Sequence, residues 1–237
     1  KQINEVKKIM RLNKFIADAG VCSRRKADEM IKEGRVTVNK QEAVIGMEVS
    51  SGDVVRVDGE KIKINTNYEY YMLNKPKRVI CSSEDKFGRK LAIDYIKSKK
   101  RLYTYGRLDY MTEGLIIISN DGDIYNHVMH PSKKLYKSYI AKLDKDITED
   151  HLEALKHGVV IDGRRTAPAK VKIVSKREIR IAIFEGRNRQ IRKMLETLGY
   201  EIKSLKRVKV GELTLGSLEV GHYRPLTEDE IKYLKNL

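Results

Sequence analysis

An α+β fold in two modules is expected from three features of this 237-residue sequence. Near the start, two short amphipathic stripes at helical spacing precede brief alternating runs, which reads as two helices leaning on a small sheet. Further on, Leu115-Ile116-Ile117-Ile118-Ser119 is a largely β-branched run between Gly114 and Asp121-Gly122, the mark of a buried strand closed by a turn. Beyond it, Val171–Val174 and Glu178–Phe184 alternate as an antiparallel pair.

In chain order, Leu12, Phe15, Ile16 and Ala19 predict a first helix ended by Gly20. Ser23 caps a second, with Ala27, Met30 and Ile31 inward and Gly34 past its end. Val36 and Val38 begin the small sheet, Asn39-Lys40 turns the chain, and Asp53–Val57 returns as a strand before Asp58-Gly59. Residues 10–62 thus form a first domain, polar residues 63–67 a tether, and residues 68–237 a second domain. There, Tyr68–Lys75 is a strand halted by Pro76, whose missing N–H suits a strand end. A helix within Arg89–Ile96, a strand over Leu102–Tyr105, the buried strand and a helix over Ile124–Met129 follow, the last closed by His130-Pro131. Lys134–Ala141 predicts a strand with Lys137 and Tyr139 on one face. Thr148 caps a helix to about Lys156 with Leu152 and Leu155 inward, and Arg164-Arg165 reads as an exposed basic loop. After the antiparallel pair come a glycine turn into a helix and a strand over Gly199–Leu205. A capping box of Thr227 and Glu230 starts the last helix.

Charge narrows the partners. With 49 Lys+Arg against 33 Asp+Glu the net charge is +16, a field suited to a polyanion such as nucleic acid or an anionic membrane surface. No run of 18 apolar residues and no charged-then-apolar leader is present, so neither a membrane span nor a secretion signal is expected. Cys22 and Cys81 lack metal-ligand spacing and fit a reducing cytoplasm. The five histidines do not cluster, and no cofactor fingerprint occurs, so neither metal nor cofactor is expected. Met10, just ahead of the first helix, is a candidate natural start.

Chemistry points to Gly106-Arg107-Leu108-Asp109-Tyr110-Met111-Thr112-Glu113-Gly114. Asp109 lies in a loop entering the buried strand, fixed yet open to a ligand, and a neighbouring guanidinium such as Arg107 keeps a carboxylate ionised. Glu185–Met194 sets basic and amide donors at the amino end of a helix, where the dipole favours anions. In the first module Arg11, Lys14, Arg24, Arg25, Lys26 and Arg35 gather at the helix starts and the helix–strand junction. Residues 1–67 hold 14 basic and 10 acidic side chains, so the signal there is clustering rather than net charge.

Gly-Arg-Leu-Asp-x-x-Thr-x-Gly-Leu, followed by Asn120-Asp121-Gly122-Asp123, resembles the catalytic motif of the ribosomal pseudouridine synthases of the RsuA family. The resemblance implies that Asp109 is the essential residue. Asn74-Lys75-Pro76 is similar to the family's opening motif, with Lys77-Arg78 standing where a glycine commonly follows. Lys137-x-Tyr139 matches its second motif, whose tyrosine lines the active site. Gly186-x-x-x-Gln190-Ile191-Arg192 resembles its third, in which an arginine pairs with the catalytic carboxylate; Arg187 matches by spacing, with Arg189 as competitor. Leu205 matches an apolar residue under the target base, and Arg107 one that fills the position a flipped uridine vacates.

Residues 10–57 resemble the S4 RNA-binding module, in which the Arg24-Arg25 helix start and the Gly34-Arg35-Val36-x-Val38-Asn39 turn contact phosphates. RNA contacts are therefore expected at Arg11, Lys14, Arg24, Arg25, Arg35, Arg107, Asn188, Arg189, Gln190, Arg192 and Leu205. The implied architecture is a small S4-like module plus a larger domain with a mostly antiparallel mixed sheet flanked by helices. The implied activity is cofactor-free isomerisation of a uridine in structured ribosomal RNA, tilted toward the large subunit, by a cytoplasmic monomer. Two rivals are a non-catalytic RNA-binding or ribosome-assembly protein on the same fold, and a glycosidase, for which no acid–nucleophile carboxylate pair is evident.

Overall fold

The computed structural model describes residues 9–64 and 66–237, which form two compact units. The first holds the described residues up to Glu69 together with Ser98–Arg101 and Asn120–Gly122. In it β1 (Met10–Arg11) leads into α1 (Leu12–Asp18), which buries Leu12, Phe15 and Ile16. The Ser23 hydroxyl accepts the Lys26 N–H and so starts α2 (Arg24–Lys32). Then come β2 (Val36–Val38), β3 (Gln41–Glu42), β4 (Glu48–Val49), β5 (Val55–Val57) and β6 (Glu60–Lys61). An antiparallel sheet runs β3-β2-β5-β6, while β1 pairs with β4. Asn39 and Lys40 both take positive φ in the β2–β3 turn, which matches the twist of a tight hairpin. The strand expected from Asp53 starts only at Val55, because the Asp53 carboxylate instead closes a turn by accepting the Ser50 N–H at 2.6 Å. The expected tether 63–67 contains Asn65, which lies outside the described residues.

The second unit opens with β7 (Tyr70–Lys75), β8 (Tyr103–Tyr105) and β9 (Glu113–Ser119), then α3 (Gly122–Met129), β10 (Lys137–Leu143) and α4 (Glu149–His157). A hairpin of β11 (Val160–Ile161) and β12 (Arg164–Arg165) precedes β13 (Lys170–Ser175), β14 (Glu178–Ile183) and α5 (Gln190–Thr197). Last come β15 (Ile202–Val210), β16 (Leu213–Thr214), β17 (Tyr223–Pro225) and α6 (Glu228–Lys235), the helix capped as expected by Thr227 with Glu230. The sheet order is β13-β14-β10-β15-β9-β7-β17, with β8 on β9 and β16 on β15. Among the described residues only β15 and β9 run parallel, so the sheet is mixed and mostly antiparallel, as expected. Leu152 and Leu155 of α4 and Ile191, Met194 and Leu195 of α5 pack with Ala141, Ile179, Ile181 and Leu205 of the strands. Leu73, Ile116 and Ile118 pack with Ala92, Ile96, Leu102 and Leu108.

Three local expectations change. The helix within Arg89–Ile96 shrinks to a 3-10 turn at Ala92–Tyr95, because the Lys90 carbonyl and the Ala92 N–H are both bonded to Ile80 and hold that stretch extended. Arg164-Arg165 is a strand rather than a loop, folded back by Asp162-Gly163, both at positive φ. The last long strand starts at Ile202 and runs on to Val210, because Gly199 and Tyr200 are used in ending α5, their N–H groups bonding to Glu196 and Leu195 carbonyls. Among the described residues no helix is long and apolar enough to cross a membrane, and no group of three or more His, Cys, Asp or Glu could hold a metal ion.

Candidate active site

The β8–β9 loop carries Asp109, and its neighbours in the motif hold the loop in place. Leu108 is buried and its N–H donates to Cys81 Sγ at 3.4 Å, while the Thr112 N–H closes onto the Asp109 carbonyl at 3.0 Å. The Arg78 N–H donates to the Tyr110 carbonyl at 2.7 Å. Arg78 takes φ +60°, so this turn adopts the left-handed conformation without a glycine. These bonds fix the loop through its backbone and leave the Asp109 carboxylate half-buried and facing a cleft.

Gly114 ends the loop where β9 passes β15. A Cβ there would lie 2.1 Å from the Arg207 carbonyl oxygen and 2.6 Å from its nitrogen, on a residue at φ +111°. Neither neighbour can swing aside. Gly114→Ala is therefore expected to destabilise the protein by at least about 3 kcal/mol, lowering Tm by roughly 6–12 °C in calorimetry.

The cleft has a volume of about 530 Å³ and is lined from separate parts of the second unit. Arg107, Leu108, Asp109 and Thr112 come from the β8–β9 loop; Lys137 and Tyr139 from β10; Leu205 and Arg207 from β15; and Gly186–Arg192 from the turn into α5. Tyr139 and Arg207 face each other across the β10–β15 ladder. Leu205 is 3% exposed, serving both as core and as cleft wall. Arg107 is exposed at the lining, as are Asn188 and Arg189.

Arg187 and Arg189, the two arginines expected beside the carboxylate, both bond elsewhere. The Arg187 guanidinium donates to the Ile161 carbonyl at 2.6 Å and to the Arg164 carbonyl at 3.1 Å, and is spent on the β11–β12 hairpin. Arg189, in the left-handed conformation at the start of α5, reaches Glu196 at 3.7 Å. Arg192 instead lies buried in the first turn of α5, and its Nη2 donates to the Met111 carbonyl and to Thr112 Oγ1, both at 3.2 Å. Its buried Nε has no partner among the described residues. Burial pushes the Arg192 guanidinium below its ordinary pKa, Arg189 adds to that, and the Asp109 charge works against it. So Arg192, expected as an RNA contact, is a buried cation within the field of Asp109. Gln190, also expected as an RNA contact, is 3% exposed and ties the glycine turn together, donating to Glu185 Oε1 at 2.6 Å and accepting the Arg187 N–H at 3.0 Å.

Two further cations line the cleft, Arg207, which sequence reasoning passed over, and Lys137, which it placed on one face with Tyr139. Arg207 is buried with its Nε donating to the Leu115 carbonyl at 2.7 Å, and the alternation that turns Leu205 inward turns Arg207 inward too. Lys137 donates to the Phe184 carbonyl, and burial followed by Arg207 lowers its pKa.

Behind the loop, Lys75 is fully buried, its ammonium donating to the Pro76 and Val79 carbonyls. Burial pulls it down to about 8 from 10.5, with Cys81, Asp109 and Glu113 opposing the fall. Below about pH 8 the folded protein bears the cost of the buried charge. Between there and 10.5 it sheds a proton that the unfolded chain retains, so stability rises with pH. Chemical denaturation across that window is expected to show a gain of up to about 3 kcal/mol that is absent in Lys75→Met.

In the first unit Arg11, Arg24 and Arg25 are exposed. Arg35 is committed to Asp58, at 2.8 and 2.6 Å, and to Glu33, which raises its pKa, and Lys14 pairs with Asp18 at 2.6 Å.

Residues 69–197 match the family model described as RNA pseudouridylate synthase, and residues 10–55 match that of the S4 domain. The chain is 42% identical to the ribosomal large subunit pseudouridine synthase B of Bacillus subtilis (strain 168), over 96% of each chain. It is 38% identical to the dual-specificity RNA pseudouridine synthase RluF of Escherichia coli (strain K12), over 94% of this chain and 77% of that one. A crystal structure of a pseudouridylate synthase superposes with a TM-score of 0.71 at 31% identity, covering 95% of this chain and 99% of the other.

Proposed function

Because the chain belongs to the RNA pseudouridylate synthase family and carries an S4 domain, we propose that Asp109 is the carboxylate with which it isomerises a uridine of large-subunit ribosomal RNA. The observation that carries this reading is the single cleft in which Asp109, Tyr139, Arg192 and Leu205 meet from separate stretches of sequence. Residues 68–237 act as the catalytic domain and residues 10–62 as an RNA-binding domain. The large subunit is favoured by the name of the Bacillus subtilis relative.

In the reaction the uracil N1–C1′ bond breaks, the base turns within the cleft, a C5–C1′ bond forms, and C5 loses its proton while N1 gains one. The composition of the nucleoside is unchanged overall, since the hydrogen that C5 gives up to water is matched by the one that N1 takes. Asp109 supplies the negative charge that attacks the sugar or the base, or that shields positive charge on the ribose. Arg192 faces that charge from a buried position in which it is poorly screened. Tyr139 contacts the uracil and takes part in moving its proton, and Leu205 packs beneath the ring. The uridine must leave its stack first, which costs a few kcal/mol and least in a loop or bulge. Arg107, exposed beside Asp109, occupies the vacated place. Of the first-unit cations expected at phosphate, Arg11, Arg24 and Arg25 are exposed to meet it directly, while Arg35 and Lys14 must first exchange carboxylate partners.

Unmodified large- and small-subunit ribosomal RNA transcripts carrying uridine tritiated at C5 test the reading, since each isomerisation releases that hydrogen to water. Release from the large-subunit transcript is expected. Release from the small-subunit transcript alone would move the substrate, and none from either would remove the activity.

A further inference from the structure

The β11–β12 hairpin is bonded to Arg187, a residue of the cleft lining, and nothing in the chemistry above uses it. Its turn, Asp162-Gly163, is a tight left-handed pair at φ 51° and 72°. Arg187 grips it from the cleft side, donating to the carbonyls of Ile161 at 2.6 Å, Arg164 at 3.1 Å and Arg165 at 3.5 Å. A second tie comes from α5, where Lys193 pairs with Asp162 at 2.6 Å. At its base the Ala167 N–H donates at 2.9 Å to Glu185, the carboxylate that also holds Gln190. One small hairpin is thus fastened to the turn that carries Asn188 and Arg189 into the cleft.

What the hairpin presents outward is charge. Arg164 is exposed, and its guanidinium has no partner among the described residues. Arg165 is exposed too, with one N–H held by the Gly158 carbonyl at 2.6 Å. With Arg189 exposed on the adjoining turn, guanidinium groups on a fixed backbone continue the cationic lining beyond the cleft mouth. Fixed guanidinium forks suit a phosphodiester chain, since each offers planar donors and releases a condensed counterion on contact.

We infer that the Val160–Arg165 hairpin grips the RNA backbone beside the target nucleotide through Arg164, and that Arg187 is the positioning residue that holds the hairpin in place. The inference rests on the cleft being the uridine site. It gives Arg187 a task different from holding the Asp109 carboxylate.

The test uses the full chain, the large-subunit transcript tritiated at C5, and filter binding to the same RNA across a salt series. Arg164→Glu is expected to raise KM roughly tenfold while moving kcat by less than about twofold, and to lower the salt slope of binding by about 1. Arg164→Ala is expected to do the same to a smaller degree. Arg187→Lys, whose single ammonium cannot span the three carbonyls, is expected to shift KM more than kcat. An unchanged KM and salt slope in Arg164→Glu would overturn the grip. A collapse of kcat in Arg187→Lys with binding intact would return Arg187 to the carboxylate and overturn its positioning role. Binding and its salt slope are read without turnover, so an inactive wild-type chain would remove the proposed activity while the hairpin is still decided by the filter.

Discussion

Asp109→Asn is expected to lose at least roughly a thousandfold in turnover while binding ribosomal RNA with nearly wild-type affinity. The amide keeps the size of the side chain but supplies neither the charge nor the attacking oxygen. The loop should hold its shape, because Leu108, Tyr110 and Thr112 are fixed by backbone bonds and none of these uses the carboxylate. Binding should persist because exposed cations lie elsewhere, in the turn into α5 and in the first unit. Tritium release and filter binding, run on one preparation, separate the two quantities. Wild-type turnover in Asp109→Asn would take the carboxylate out of the mechanism.

The second large effect is expected at Arg192. Arg192→Met should cut kcat by about a hundredfold or more, as removal of a preorganised charge does in other sites. Stability should change little. Burying a lone guanidinium is expensive, and Met recovers that desolvation while forfeiting two hydrogen bonds at 3.2 Å to Met111 and Thr112. A fall in kcat with Tm within a few degrees of wild type separates a catalytic role from a merely structural one. Full activity in Arg192→Met would show that Asp109 works without it.

The contrast between Arg187 and Arg192 also marks where the sequence stops being legible. The motif string locates a carboxylate loop, a tyrosine strand and a basic turn, and all of these line one cleft. Spacing cannot say which of three arginines around a helix start points inward. Arg187 precedes α5, Arg189 sits in the left-handed residue before it, and only Arg192 falls on the helix face that also buries Met194 and Leu195. A charged residue on that apolar face was a usable signal. Gly114 was legible as a turn glycine, but its reason, the Arg207 carbonyl oxygen 2.1 Å from where a Cβ would stand, depends on a parallel pairing of strands far apart in the chain. The hairpin at Arg164 was announced by Asp162-Gly163, a strong turn pair, yet the charge beside it suggested only a loop. In the first unit local rules placed both helices and β2, since Ser23, Gly34 and the Val36/Val38 alternation act within a few residues of themselves, but they put the start of β5 too early, at Asp53.

The central claim is that one ionised aspartate, in a cleft faced by a buried arginine, rearranges a uridine without changing its mass. The most direct measurement is the nucleoside composition of the large-subunit transcript, digested after incubation with the purified chain and no added cofactor or metal. A uridine converted to its C5-linked isomer by the wild type, and left untouched by Asp109→Asn, is the predicted result. Uridine unchanged by the wild type, or converted equally by both proteins, would contradict the claim.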